Sequence, residues 1–178
     1  PVISKNRFNQ LISEVEIDYR NFDLKRFFLT IELNYKKTKF FDEFYPIFFE
    51  VFNKKHKLLN DLNIELIEKI CQFLKIKTPL IRSSIYKIDR SLKKENLLIE
   101  IIKKNKCDEY ISTMGSKNYL GHKNYFENSA IKIRYFEYSN PNFKSNNINC
   151  EHLSILDSLF RFGKEFKKNS SKNFKIFD

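Results

Sequence analysis

The spacing of apolar residues changes near Pro79, and this change limits the folds that the chain can adopt. Between about residues 23 and 76, apolar side chains recur every three or four positions, which is the period of an amphipathic helix. After Pro79, short apolar runs of strand length alternate with helical stretches of about ten residues. The sequence therefore predicts an α/β protein with a helical segment before the main strands.

The helical segment carries three predicted helices. Asp23 can cap the first, and the second is predicted to open at Asp42, so that Pro46 falls in its first turn, where a missing N–H costs little. The third ends before Pro79, because a residue preceding proline is disfavoured in the helical region. Residues 11–17 alternate loosely in apolar character and are predicted as a strand.

The remainder of the chain alternates between strands and helices. Strands are predicted over residues 80–84, 110–113 and 131–138, and helices over residues 92–104, 118–128 and 153–162. Gly163 is expected to end the last helix. Strands separated by helices favour a mostly parallel sheet flanked by helices, in which ligands bind beyond the carboxyl ends of the strands.

The length of 178 residues, 42% of them hydrophobic, suits one core. We expect a single α/β domain over residues 1–163, including the helical segment. Residues 164–178 are rich in Lys, Asn and Ser and are predicted to form a polar C-terminal tail.

Several patterns bear on location and cofactors. The sequence has no apolar run of about 18 residues that could span a bilayer, and no signal-peptide pattern. Its three cysteines form no C-x-x-C pair, which is typical of a reducing compartment, so a cytoplasmic location is expected. The three histidines lack any zinc-binding spacing, and we expect neither a metal nor another cofactor.

The formal net charge of +11 raises the question of nucleic acid as a partner. Lysines are dispersed along the whole chain and no nucleic-acid-binding signature accompanies them. Nucleic acid is therefore not the expected partner, and an anionic small molecule fits the loops better.

The loop at residues 113–119 is the leading candidate for a binding site. Gly115 lets a backbone approach closely, and Ser116 and Lys117 are predicted at the start of a helix, whose N–H groups and dipole favour anions. The Walker order G-x-x-x-x-G-K-[ST] is absent, and a Gly-Ser-Lys tripeptide is also a common turn. A phosphate-binding loop and a structural turn both remain open.

Two further positions carry suitable chemistry. Arg82 and Ser83 lie at the expected carboxyl end of a strand, where the guanidinium can pair with a phosphate, although a solvated strand end explains them as well. Asp157 lies near the start of the last predicted helix and can either serve the helix dipole or act as an acid or base.

Residues 107–120 (CDEYISTMGSKNYL), residues 153–157 (LSILD) and Gly163 resemble the WbqC-like family. Residues 30–35 (TIELNY) and 60–76 are also similar to it, so the resemblance covers nearly the whole chain. It implies a cytoplasmic bacterial protein of O-antigen and other surface-polysaccharide gene clusters. It names a pathway and not a reaction.

The chain departs from the family pattern at its start. The family's N-terminal His-Gln-Pro and Pro-Trp motifs have no equivalent before Val2, so the sequence is expected to be a truncated member that lacks part of the site. His152 and Phe143 also stand where the family tends to have Pro and Tyr.

Polar residues at the strand ends, taken with this resemblance, predict a transferase that modifies a nucleotide-activated sugar. Lys117 and Arg82 would hold phosphate oxygens. A non-enzymatic assembly partner of the polysaccharide machinery is the main alternative, and a basic nucleic-acid-binding protein is the third. The predicted substrate-binding residues are Arg82, Ser83, Gly115, Ser116, Lys117 and Tyr119, and the predicted catalytic residues are Asp108 and Asp157.

Overall fold

The computed structural model describes residues 1–4, 10–89, 91–118, 120, 123–138, 153–170 and 174–178. Contacts divide the chain into two compact units. The helical unit comprises Pro1–Pro79 and Lys144–Asn169, and the sheet unit comprises Leu80–Phe143 and Ser170–Asp178. Compactness alone does not define an independently folding domain, so the single domain over residues 1–163 stays a prediction.

The helical unit contains the three helices predicted before Pro79. They are α1 (Leu24–Tyr35), α2 (Phe41–Asn53) and α3 (Leu59–Phe73). Asp23 caps α1, as predicted, by accepting a hydrogen bond from the backbone N–H of Arg26. The helix α2 begins at Phe41, one residue before the expected Asp42, and Pro46 lies inside the helix and not in its first turn.

Aromatic side chains form the centre of the helical unit. The helix α6 (Ile155–Phe162) contributes Leu159 and Phe160, both fully buried, to the core that α1, α2 and α3 build. Ser154 caps α6, which ends at Gly163, as predicted. The predicted strand over residues 11–17 is wrong, since Ile12–Glu14 form a 3₁₀ turn beside isolated bridges at Glu16 and Ile17.

The sheet unit is smaller and mixed. Its strands are β1 (Glu109–Thr113), β2 (Lys132–Tyr138) and β3 (Phe174–Phe177), in the order β1-β2-β3. The pair β1–β2 is parallel and the pair β2–β3 is antiparallel. The α/β class is confirmed, but the described residues do not form the mostly parallel sheet flanked by helices that the sequence predicted.

Helices α4 (Lys94–Lys104) and α5 (Lys123–Glu127) contribute to a second core in the sheet unit. Ile99 and Ile102 from α4 and Phe126 from α5 pack with the inward-facing residues of β1 and β2. The 3₁₀ turn Gly163–Glu165 and helix α7 (Phe166–Ser170) precede β3. Residues assigned to a polar tail from the sequence thus include a helix and a strand.

The strand predicted over residues 80–84 is wrong. Ser83–Ile85 form a 3₁₀ turn, and Leu80, Ile81 and Ile85 are exposed. An apolar run becomes a strand only when a neighbouring strand satisfies its backbone groups, and no ladder includes these residues. Across the described part of the chain, no helix is both long and apolar enough to cross a membrane.

Candidate functional site

The predicted binding loop directly follows β1. Met114–Ser116 form a 3₁₀ turn at the carboxyl end of the parallel pair β1–β2. In that pair Ser112 lies opposite Tyr135, so their side chains project from the same face of the sheet. The carboxyl end of parallel strands is the usual place for a ligand in α/β proteins.

Two serine hydroxyls hold this turn in place. The Oγ atoms of Ser112 and Ser116 lie 2.7 Å apart, and Ser116 Oγ donates to the carbonyl of Thr113 at 2.7 Å. A hydroxyl has one proton, so Ser112 is the donor to Ser116. Ser116 is only 2% exposed. This serine therefore shapes the loop from inside and does not present its hydroxyl to solvent.

Gly115 and Lys117 form the open side of the loop. A Cβ built on Gly115 would meet no atom within 4 Å, so a ligand can reach the backbone here. The Lys117 side chain is exposed, and its Nζ lies 5.4 Å from the centre of the Tyr135 ring. No carboxylate of the described residues forms an ion pair with Lys117. Its charge rests on an aromatic face, a weak contact that an anion can replace.

Tyr135 was not predicted as a site residue. It is fully buried, and its hydroxyl has no hydrogen-bond partner among the described residues. Burial raises the pKa of this phenol, and the nearby Tyr110 raises it further. The alternation of Ile131, Ile133 and Tyr135 does place the tyrosine on the inward face, which was the available signal.

The helix predicted to start beside the loop begins later. Its residues were predicted as 118–128, whereas α5 runs only from Lys123 to Glu127. Ser116 and Lys117 therefore do not lie at a helix N-terminus, and anion binding here cannot rest on a helix dipole. Tyr119 lies outside the described residues.

The second predicted anion site, at Arg82 and Ser83, was expected at the end of a strand that the described residues do not form. Arg82 precedes the turn Ser83–Ile85 and does not end a strand, and both Arg82 and Ser83 are exposed. Tyr86 donates a hydrogen bond to Asn105 at 2.7 Å and so anchors this segment to the end of α4. The roles of Arg82 and Ser83 in binding stay predictions.

Asp108 lies at the other end of β1 from the loop. It immediately precedes Glu109, and its carbonyl accepts a hydrogen bond from Lys132 N at 2.7 Å. A five-residue strand spans about 17 Å at about 3.3 Å per residue. The structure therefore does not bring Asp108 to the residues around Lys117.

Asp157 belongs to the helical unit. It lies in the first turn of α6, is 2% exposed, and accepts a hydrogen bond from Arg161 Nε at 2.8 Å. This ion pair within one helix fits a structural carboxylate. Its predicted catalytic role is not tested by these contacts.

Among the described residues, no three or more His, Cys, Asp or Glu side chains are grouped so that they could hold a metal ion. His56 contacts Glu65 through Nε2, and Lys54 contacts the other carboxylate oxygen. Cys71 and Cys107 are free thiols. His122, Cys150 and His152 lie outside the described residues.

Comparison with known proteins supports the resemblance noted in the sequence. The model of the WbqC-like protein family matches residues 1–169. The uncharacterised protein Rv1507c of Mycobacterium tuberculosis is 30% identical over 171 residues, which cover 93% of this chain and 71% of that protein. No solved structure matches the chain significantly. The family match covers almost all of the sequence, and the chain belongs to the WbqC-like protein family.

Proposed function

We propose that this chain acts in bacterial surface-polysaccharide (O-antigen) biosynthesis, as a cytoplasmic transferase that modifies a nucleotide-activated sugar. One observation carries the proposal. The exposed ammonium of Lys117 stands beside the open backbone of Gly115, at the carboxyl end of two parallel strands.

The chemistry of such a substrate suits this arrangement. A nucleotide-activated sugar carries phosphate oxygens, which lysine binds as a point charge. Lys117 has no competing carboxylate among the described residues, so a phosphate would displace only the contact with the Tyr135 ring. Gly115 leaves room for the phosphate to approach the main chain.

The other predicted site residues have proposed roles that fewer structural observations support. Ser116 would act by fixing the loop, since its hydroxyl is already engaged within the protein. Arg82, Ser83 and Tyr119 would supply further substrate contacts. Asp108 and Asp157 remain the proposed proton-transfer residues, although the position of the first and the ion pair of the second favour structural roles.

Calorimetric titration with a panel of nucleoside diphosphate sugars tests the proposal. We expect saturable binding to at least one sugar nucleotide and a loss of about tenfold in affinity for Lys117→Ala, because one charge-assisted contact is removed. Lys103→Ala, which removes an exposed lysine from α4 in the same unit, is the matched control and should bind normally. Absence of binding across the panel, together with normal polysaccharide output from cells carrying Lys117→Ala, would contradict the proposal.

One observation favours the alternative, a non-enzymatic assembly partner. Leu29 and Leu33 lie one turn apart on α1 and are 55% and 78% exposed. Neighbouring exposed leucines suit contact with another protein. If Leu29→Ser combined with Leu33→Ser lowers polysaccharide output in cells while Lys117→Ala does not, the assembly role is supported. Leu80→Ser, at an exposed leucine of the sheet unit, is the matched control.

A further inference from the structure

The hydroxyl of Tyr135 is a polar group that the fold leaves unsatisfied. Buried polar groups nearly always have hydrogen-bond partners, and those without one reduce stability. Tyr135 is fully buried in β2, and its hydroxyl has no partner within the described part of the chain. A phenylalanine would fill the same space without this loss of stability, so we expect the hydroxyl to have a function in binding.

The groups around Tyr135 do not supply that partner. Ser112 faces Tyr135 across the parallel pair, but its proton is donated to Ser116, whose own proton is donated to Thr113. Lys117 Nζ lies over the ring, 5.4 Å from its centre, and does not form a hydrogen bond with the hydroxyl. Neither serine hydroxyl is hydrogen-bonded to the phenol, which has no partner among the described residues.

The protonation states of Tyr135 and Lys117 indicate which kind of ligand would bind beside them. Burial raises the pKa of Tyr135, so the phenol keeps its proton at neutral pH and can donate a hydrogen bond. The adjacent Lys117 carries a positive charge and three further donors. A hydrogen-bond donor beside an ammonium group favours an anionic oxygen as the ligand.

We propose that the Tyr135 hydroxyl is a ligand-binding group, which donates a hydrogen bond to a phosphate oxygen of the ligand held by Lys117. This inference rests on the proposed function, because it deepens the same site. A phosphate bound to Lys117 Nζ, which lies 5.4 Å from the centre of the Tyr135 ring, would be held close to this phenol. Tyr135 thus selects ligands that carry an acceptor oxygen next to the lysine-bound charge.

The test compares wild type with Tyr135→Phe, Lys117→Ala and Lys103→Ala, using inorganic pyrophosphate as the probe. Without the probe, Tyr135→Phe should melt a few degrees above wild type, since it removes an unsatisfied buried hydroxyl. With the probe, its dissociation constant should rise about tenfold, and its melting temperature should increase less than that of wild type. Lys103→Ala should match wild type in both measurements.

The outcomes separate this inference from the proposed function. If Tyr135→Phe binds pyrophosphate like wild type while Lys117→Ala does not, Tyr135 serves only in packing and the inference fails, whereas the proposed function stands. If wild type binds neither pyrophosphate nor any sugar nucleotide, both fail. If Tyr135→Phe does not fold, the tyrosine absorbance of the wild-type protein is measured with and without saturating pyrophosphate. A buried phenol that gains a hydrogen-bond partner must change this absorbance, so an unchanged spectrum would contradict the inference.

Discussion

Replacement of Gly163 by alanine should destabilise the protein strongly. Gly163 ends α6 with a φ of 51° and a ψ of −134°, a conformation that only glycine adopts easily. A Cβ at this position would lie 2.6 Å from Cδ1 and 2.7 Å from Cγ of Phe40. Rotation of the ring cannot remove the clash, because the Cβ of Phe40 also lies only 3.2 Å away and the backbone N–H of Phe40 donates to the carbonyl of Phe160 at 2.9 Å. Both the backbone and the ring therefore resist the added methyl group.

The size of the effect follows from these two contributions. The strained backbone costs about 1–3 kcal/mol, and displacement of the half-buried Phe40 side chain costs about 1–3 kcal/mol more. Gly163→Ala should therefore lower the free energy of unfolding by about 2–6 kcal/mol, against a usual total of about 5–15 kcal/mol. Gly115→Ala is the matched control, since its Cβ would meet nothing within 4 Å and its φ is not positive. It should change stability by less than about 1 kcal/mol.

Guanidinium unfolding followed by circular dichroism measures both variants, because the chain contains no tryptophan to serve as a fluorescent probe. The midpoint should fall markedly for Gly163→Ala and stay close to wild type for Gly115→Ala. A Gly163→Ala protein within about 0.5 kcal/mol of wild type would show that the end of α6 relaxes around a methyl group, and the reasoning from the 2.6 Å contact would be refuted.

Two further predictions concern ionisable groups of the helical unit. Asp157→Asn should lower the free energy of unfolding by about 1–3 kcal/mol, because Arg161 loses its charged partner. The control Glu68→Gln, on the exposed side of α3, should lower it by less than about 0.5 kcal/mol. Equal effects of the two substitutions would exclude a structural role for the ion pair. Burial, and next the Glu32 carboxylate, raise the pKa of Tyr45 well above its usual value of 10.0. The folded state therefore binds more protons than the unfolded state once the pH exceeds about 10, so stability should decrease as pH rises through that value. Tyr45→Phe should reduce this decrease in unfolding experiments at alkaline pH, and an unchanged pH profile would contradict the assignment.

The helices were predictable because their signals are local. The apolar stripe from Leu24 to Tyr35 lies within the 12 residues of α1, and Asp23 directly precedes them; the structure confirms both the helix and its cap. Strands depend on partners that are distant in sequence. The strand β3 was missed because its residues read as a polar tail, and residues 80–84 were predicted as a strand that finds no partner.

The candidate site shows the same division. Gly115 and Lys117 were identified from residue type and loop position alone. Ser112 and Tyr135 were missed, because the register of β1 and β2 sets which of their side chains face each other. Asp108 seemed close to the loop in sequence, but the extended strand between them carries it to the opposite end.

The interrupted course of the chain through its two units affects the order in which a ribosome can complete them. The first 79 residues emerge early, but Phe160, whose ring lies 5.2 Å from that of Phe41, is synthesised only after β1 and β2. The sheet unit waits in turn for β3, which follows α6. Apolar surface of the helical core stays uncovered until α6 is made, and the edge of β2 stays unpaired until β3 is made. Both conditions favour aggregation and chaperone binding during synthesis. A chain stalled after residue 143 would therefore carry an unfinished helical core and a sheet that still lacks its third strand.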